Sequence, residues 1–308
     1  MINRTIKQAQ VTLDTAHEDM VHDAQFDYYG KYLATCSSDR IIKIFDVAGD
    51  NHVHLADLRG HEGPVWQVAW AHPKFGKILA SASYDRKVII WRETNNNQWS
   101  ILHQFSGHEL SVNSISWAPH EFGLCLACAS SDGTVSIHNF KDNVWEQPQK
   151  INVSQIGVNS VSWAPASTPA SLVNANQTTI PTPVKRIVTG ACDNLIKIFK
   201  FTEDKWTLEK QLEEHKDWVR DVAWAPNIGL PVSKIASCSQ DRTVIIWTQD
   251  ESGTWAGKPL NRFDDIVWRV SWSVIGHILA VSCGDNQVTL WKEGLDGEWK
   301  QISQVENS

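Results

Sequence analysis

The chain has 308 residues, with 28 Lys and Arg against 35 Asp and Glu, a formal net charge of −7 and a pI near 5.9. It carries no Lys/Arg block, so the basic face of a nucleic-acid binder is missing and no direct nucleic-acid contact is expected. No apolar run approaches the roughly 18–20 residues of a membrane-spanning helix and no signal peptide opens the sequence, so a soluble protein made in the cytosol is expected.

In chain order, residues 1 to 16 hold one short extended segment, about Thr5 to Leu13, with Ile6, Val11 and Leu13 as its apolar positions. From there the sequence repeats itself. Asp39, Asp85, Asp132, Asp193, Asp241 and Asp285 stand 46, 47, 61, 48 and 44 residues apart. Six residues after each comes a ring side chain: Phe45, Trp91, His138, Phe199, Trp247 and Trp291. An aromatic also precedes each: Phe26, Trp70, Trp117, Trp163, Trp224 and Trp272. Three features in fixed order at this period mark a WD-type β-propeller. The expected fold is all-β, one domain over residues 1–308 with six blades at about 17–58, 61–105, 108–152, 154–212, 215–262 and 263–305.

The second repeat is the cleanest. Val65 to Trp70 reads as the innermost strand, Ile78 to Ser83 as the second, Tyr84-Asp85-Arg86 as a tight turn and Lys87 to Trp91 as the third. The run Val88-Ile89-Ile90-Trp91 is apolar on both faces, as a strand covered on both sides requires. A fourth, outer strand is expected to begin at Trp99, Trp145, Trp206, Trp255 and Trp299 in repeats two to six, with these tryptophans packing blade to blade. The fourth repeat is about fifteen residues too long, the excess lying in 166–183, an uncharged Ser/Thr/Pro/Asn-rich stretch expected to be a disordered loop. The sequon at Asn176 falls inside it. Cys125 and Cys128 form a C-x-x-C, but side chains three apart on a strand face opposite ways and no second pair completes a tetrahedral site. No metal and no cofactor are expected; the six cysteines read as small buried hydrophobes.

His61, Ser81, Asp85 and Trp91 recur as His215, Ser237, Asp241 and Trp247. A Ser, a His and an Asp together suggest a hydrolase triad. The set nevertheless occurs twice, its Ser lies within a strand, and no nucleophile elbow or oxyanion donors accompany it. These residues are therefore expected to form a buried hydrogen-bonded network in each blade, and the protein is expected not to be an enzyme. The network should be weak where its members change: Ser154 in repeat four, Phe263 and Val281 in repeat six, His138 in repeat three. Those blades should lean on packing. Five residues after the repeat His stand His22, Trp66, Asn113, Asn159, Arg220 and Trp268, with Trp218 close by. Trp66, Trp218, Arg220 and Trp268 are candidates for contacting a partner at a propeller mouth, core packing being the other reading.

HEGPVWQVAWAHPKFG, GVNSVSWAP, HKDWVRDVAWAP, SQDRTVIIWTQD and DNQVTLWKE carry a more specific likeness. From about His17 to Trp299 the chain resembles the small WD-repeat propeller subunits shared by the outer coat of COPII vesicles and the Y-shaped scaffold of the nuclear pore. The resemblance implies an open six-bladed propeller completed by a blade from a partner. The partners implied are the large α-solenoid subunit of the COPII outer coat and a scaffold nucleoporin, with a further link to a nutrient-signalling complex at the lysosome or vacuole. Membrane association would be indirect, on vesicles leaving the endoplasmic reticulum or at the nuclear envelope. A nuclear-pore-only relative or a different WD-repeat adaptor, such as a ubiquitin-ligase substrate receptor, is the alternative. Strand counting agrees with an open ring: the sixth repeat carries its own outer strand, Glu298 to Val305, leaving no vacancy for the N-terminal segment. Ile6, Val11, Leu13, Ile302 and Val305 are thus candidate partner contacts at the chain ends.

Overall fold

The computed structural model describes residues 12–49, 52–95, 97–167, 183–227, 232–250 and 252–305. The first blade is built from β1 (Val21–Phe26), β2 (Tyr32–Ser37), β3 (Ile41–Asp46) and β4 (Val53–Arg59), and the second from β5 (Val65–Trp70), β6 (Ile78–Ser83), β7 (Val88–Asn95) and β8 (Gln98–Phe105). The third follows with β9 (Val112–Trp117), β10 (Leu124–Ser130), β11 (Thr134–Lys141), β12 (Val144–Trp145) and β13 (Gln149–Asn152). The fourth holds β14 (Val158–Trp163), β15 (Arg186–Ala191), β16 (Ile196–Thr202) and β17 (Lys205–Leu212). The fifth holds β18 (Val219–Trp224), β19 (Ser233–Ser239), β20 (Thr243–Gln249) and β21 (Trp255–Arg262). The sixth holds β22 (Val267–Trp272), β23 (Ile278–Cys283), β24 (Val288–Glu293) and β25 (Trp299–Val305). Each blade is a separate antiparallel sheet whose strands pair in chain order, so this is a six-bladed propeller. In blade three the outer strand is split into β12 and β13 around Pro148, which has no N–H to give the ladder.

Blade six pairs β24 with its own outer strand β25, from Val288 opposite Val305 to Glu293 opposite Trp299. Thr12 and Leu13 belong to no strand, and Ile6 and Val11 lie outside the described residues, as does most of the 166–183 loop with its sequon.

Five apolar clusters hold the blades face to face. Ala34, Ile42 and Ile44 meet Val68, Leu79 and Trp91 between blades one and two. Equivalent clusters lie between two and three, three and four, four and five, and five and six. No such cluster joins blade six to blade one among the described residues. The consequence is visible in burial. Ile78, Ala80, Val88 and Ile90 of blade two are buried, whereas their counterparts Ile278, Ala280, Val288 and Leu290 are all partly exposed.

The outer tryptophans are half-buried in the clusters facing the preceding blade. Four also meet the inner-strand tryptophan of their own blade edge to face: Trp70–Trp99, Trp163–Trp206, Trp224–Trp255 and Trp272–Trp299, at 5.7–5.8 Å. Inner tryptophans also stitch blades together. The indole N–H groups of Trp70, Trp117, Trp163 and Trp272 donate to the carbonyls of Gln25, Ala69, Ser116 and Ala223 on the previous blade's inner strand. Phe26 has no such donor to offer blade six, and is 61% exposed.

Candidate functional site

Two arrangements recur around the ring: a polar network inside each blade and a ring of side chains on the axis.

In blade two, His61 Nδ1 lies 2.8 Å from Asp85 Oδ2, His61 Nε2 lies 2.7 Å from Ser81 Oγ, and Trp91 Nε1 donates to the same Oγ at 2.8 Å. The direction follows from valence. An indole only donates, so Ser81 accepts from Trp91 and passes its own proton to His61 Nε2, and His61 Nδ1–H donates to Asp85. Asp85 also accepts from the N–H groups of Glu62 and Lys87, fixing the turn. Burial pushes this carboxyl up, but the hydrogen bond from His61 and the two backbone donors outweigh it and leave its pKa lowered to about 2. His215, Ser237, Asp241 and Trp247 repeat the arrangement in blade five, and burial of Asp241 is likewise outweighed by its partners. Ser81 and Ser237 are wholly buried.

The blades expected to be weak are a correction. Blades three and six move the missing hydroxyl across the ladder and blade four replaces the His with a Lys, while blade six also leans on Phe263 packed against Trp291, as expected. In blade three Cys128 replaces the serine, and Ser136, directly opposite it on β11, supplies the hydroxyl. Ser136 Oγ lies 2.7 Å from His108 Nε2 and 2.8 Å from His138 Nε2. With His108 Nδ1–H held by Asp132 at 2.8 Å, Ser136 donates to His108, and His138 donates to Ser136 in place of an indole. Burial lowers the His138 pKa to about 3, so the ring is neutral, as this tautomer requires. In blade six Thr289, opposite Val281, accepts from Trp291 Nε1 at 2.9 Å. In blade four, where Ser154 replaces His, Lys197 reaches Asp193 Oδ2 at 2.8 Å and the Val153 carbonyl. Blade one keeps His17, Thr35 and Asp39 but ends in Phe45, which has no donor. The signal was in the sequence: the residue four after the register aspartate is Ile89 or Ile245 in complete blades and Ser136, Lys197 or Thr289 in altered ones.

The axial ring begins with a bulge in every blade. The first-to-second strand register slips at Val21/Asp23, Val65/Gln67, Val158/Ser160, Val219/Asp221 and Val267/Arg269, and β9 pairs Val112 and Ser114 with consecutive residues. The skipped residues are His22, Trp66, Asn113, Asn159, Arg220 and Trp268. A bulge frees one residue from the ladder and re-aims its side chain. All six thereby line one cavity of about 1200 Å³, together with Trp218. Four are fastened within the protein: His22 to Ser38, Trp66 to Ser111, Asn113 to Ser131 and Val158, and Asn159 to Val219. Arg220 lies between Trp218 and Trp268, its guanidinium carbon 5.1 and 4.7 Å from their ring centres, with Gln240 as its hydrogen-bond partner.

Each residue after a bulge reaches the next blade. Asp23, Gln67, Ser114, Ser160 and Asp221 accept from the N–H groups of Val68, Ile115, Val161, Val222 and Val270. The sixth is Arg269, which can only donate, and it pairs with the Asp23 carboxylate of blade one. Ala24 N–H, which an acceptor there would have taken, bonds its own Asp23. Burial raises the Asp221 pKa against the nearby Arg269 charge.

Of the remaining candidates, Ile302 is 51% exposed on β25, Leu13 is partly buried, and Val305 ends β25. They are not brought together with the axial residues. Cys125 and Cys128 are buried thiols, burial pushing Cys125 up to about 12.

The chain matches the WD domain, G-beta repeat family over residues 8–46, 52–92, 99–139, 206–248 and 257–292. The stretch left unmatched contains Ser154, the long loop and Phe199, where the fourth repeat departs most. A relative in Dictyostelium discoideum described as a protein SEC13 homolog is 80% identical over 300 residues, covering 97% of this chain and all of the relative. The human protein SEC13 homolog is 60% identical over 298 residues, 96% of this chain and 92% of the relative. The protein transport protein sec13 of Emericella nidulans is 54% identical over 310 residues, 97% of this chain and 99% of the relative.

Proposed function

We infer the function from one premise: this chain belongs to the Sec13 family of WD-repeat propellers, members of which are described as protein transport proteins. It is a non-enzymatic scaffold subunit of the COPII outer cage, binding a large α-solenoid subunit that adds a blade to the ring. The same surface would serve a scaffold nucleoporin of the Y-shaped nuclear pore complex, and a nutrient-signalling complex at the lysosome or vacuole. Its place would be cytoplasmic, peripheral on vesicles, endoplasmic reticulum and nuclear envelope.

The observation that carries this reading is the junction between blades six and one. Every other junction has a continuous apolar cluster. Here Ile278, Ala280, Val288 and Leu290 keep a partly wetted face, and Leu33 on the facing side of blade one is partly exposed. Apolar area in this position favours association. The edge strands β4 and β25 offer unpaired backbone to an incoming strand. Against enzymatic chemistry stands the complete burial of both candidate serines.

The test is a crosslinking and hydrogen-exchange map of the native complex. Protection should rise on β1, β2, β23 and β24 and along β25 near Ile302. A stoichiometric large solenoid partner should copurify. Protection confined to the axial cavity, with these strands unchanged, would sink the reading and favour a closed adaptor.

A further inference from the structure

We propose that the axial cavity is a second docking site, separate from the blade-six/blade-one junction, and that it takes an extended peptide presenting a carboxylate beside an apolar side chain. The inference rests on how unevenly the mouth is satisfied. On blades one to four the bulge residues spend their polar groups inside the protein. On blade six Trp268 does not, and on blade five Arg220 gives its one hydrogen bond to Gln240. Trp218 and Trp268 are 41% and 48% exposed, and neither indole N–H has a partner among the described residues. Between their rings stands the Arg220 guanidinium, whose Nε is buried without a partner and whose neighbour is an amide rather than a carboxylate. Of the rim carboxylates, Asp217 accepts from Trp218 N–H and Asp265 Oδ1 from Ile266 N–H, while Asp265 Oδ2 lies beside Gly284 on the Trp268 side.

The result is two half-exposed indoles without a hydrogen-bond partner among the described residues, flanking a guanidinium whose one acceptor is a neutral amide. Donors without acceptors call for an acceptor from outside. A guanidinium held between rings is preorganised for a carboxylate. Exposed tryptophan and arginine at the centre of a concave surface are the residues that dominate interface energies. A cavity of about 1200 Å³ is larger than a small-molecule pocket needs and suits a few residues of extended chain. A cationic segment is disfavoured because it would meet Arg220, with Arg269 deeper on the axis.

The experiment pans a phage-displayed random heptapeptide library on the full chain, then measures the selected peptides by fluorescence anisotropy. Enriched peptides should share Asp or Glu next to Leu, Ile, Phe or Trp, and an Asp-to-Asn exchange in the peptide should weaken binding at least tenfold. Arg220→Met and Trp268→Ala should each abolish binding while leaving the melting temperature and copurification of the solenoid partner unchanged. Failure to enrich any peptide would overturn the proposal, as would peptides that lack a carboxylate or bind Arg220→Met equally. Arg220-dependent sedimentation with phosphatidylserine vesicles, without peptide enrichment, would reassign the site to a lipid headgroup. If instead the variants lost the solenoid partner, the cavity would belong to the junction site.

Discussion

Blade three offers a decisive perturbation because its network hangs on one atom. Ser136 Oγ is buried and sits between two imidazole nitrogens, at 2.7 Å from His108 and 2.8 Å from His138. Ser136→Ala leaves an acceptor on His108 and a donor on His138 unsatisfied in a site where both rings are under 10% exposed. At about 1–3 kcal/mol for each stranded group, partly relieved by relaxation, the loss is about 2–4 kcal/mol. Unfolding entropy of about 2.1 cal/mol/K per residue gives roughly 0.65 kcal/mol/K for this chain, so the melting temperature should fall by about 3–6 °C. Calorimetry measures it directly. The second half of the test is rescue. Cys128 stands opposite Ser136 and holds the position that Ser81 holds in blade two. Cys128→Ser in the Ser136→Ala background should therefore recover at least half of the loss. A melting temperature within a degree of the parent for Ser136→Ala, or no rescue from Cys128→Ser, refutes the idea that the hydroxyl has moved across the ladder.

In blade five, Asp241→Ala should cost about 1–3 kcal/mol by stranding His215, and Trp247→Ala about 3–5 kcal/mol through lost packing; urea unfolding of either variant at the parental midpoint would contradict the network. Asp85 and Asp132 both have pKa values lowered to about 2 from the usual 3.8, so each adds stability that is complete above the ordinary value and is lost as pH falls through 2. Asp85→Asn should flatten the acid limb of a urea-midpoint profile between pH 5 and 2. Arg269→Met removes the cation serving both Asp23 and Asp221, and should cost about 3–5 kcal/mol with faster hydrogen exchange in β1 and β22; unchanged exchange there would show that the pair does not hold the junction. A fluorophosphonate probe should label neither Ser81 nor Ser237 in the folded protein, and labelling of either would restore a hydrolase reading.

The blade scaffold was legible because it is periodic. β5 and β6 fall where the alternation and the flanking turn placed them, and the aspartate register found all six blades. The relocated hydroxyl left a trace four residues after the register aspartate, but its meaning depends on strand pairing. A serine missing from one strand and a serine present on its neighbour are eight residues apart, and only the ladder makes them equivalent. The six residues from His22 to Trp268 were legible as one position at the propeller mouth, but not the bulges that turn them toward one axis. Propensity describes a strand and its neighbours in sequence; it carries no information about which side chain a bulge re-aims. The uneven mouth was still less accessible, since Asn113 and Arg220 differ in function by what each finds across the cavity.

The axial ring gives a physical account of why the junction between blades six and one differs from the other five. A ring in which each inner strand hands an acceptor to the next strand's N–H can be continued indefinitely, and five junctions do so. Arg269 cannot accept, so the series ends there. Phe26 cannot donate, so this junction also lacks the indole stitch, as does that between blades four and five, where Trp224 bonds Ser233 of its own blade. The two substitutions are far apart in sequence and act on the same interface. What remains is a charged pair, and a charged pair on the axis constrains position while contributing little apolar adhesion along the blade faces. Asp23 is buried and Arg269 partly exposed, and the pair ties the inner strands of the two blades at the axis. On the reading proposed above, a sheet added at this junction would enter without first breaking a hydrophobic core. In a ring built from six equal junctions, the same insertion would have to separate apolar faces of the kind formed by Ile90, Ile115 and Leu126.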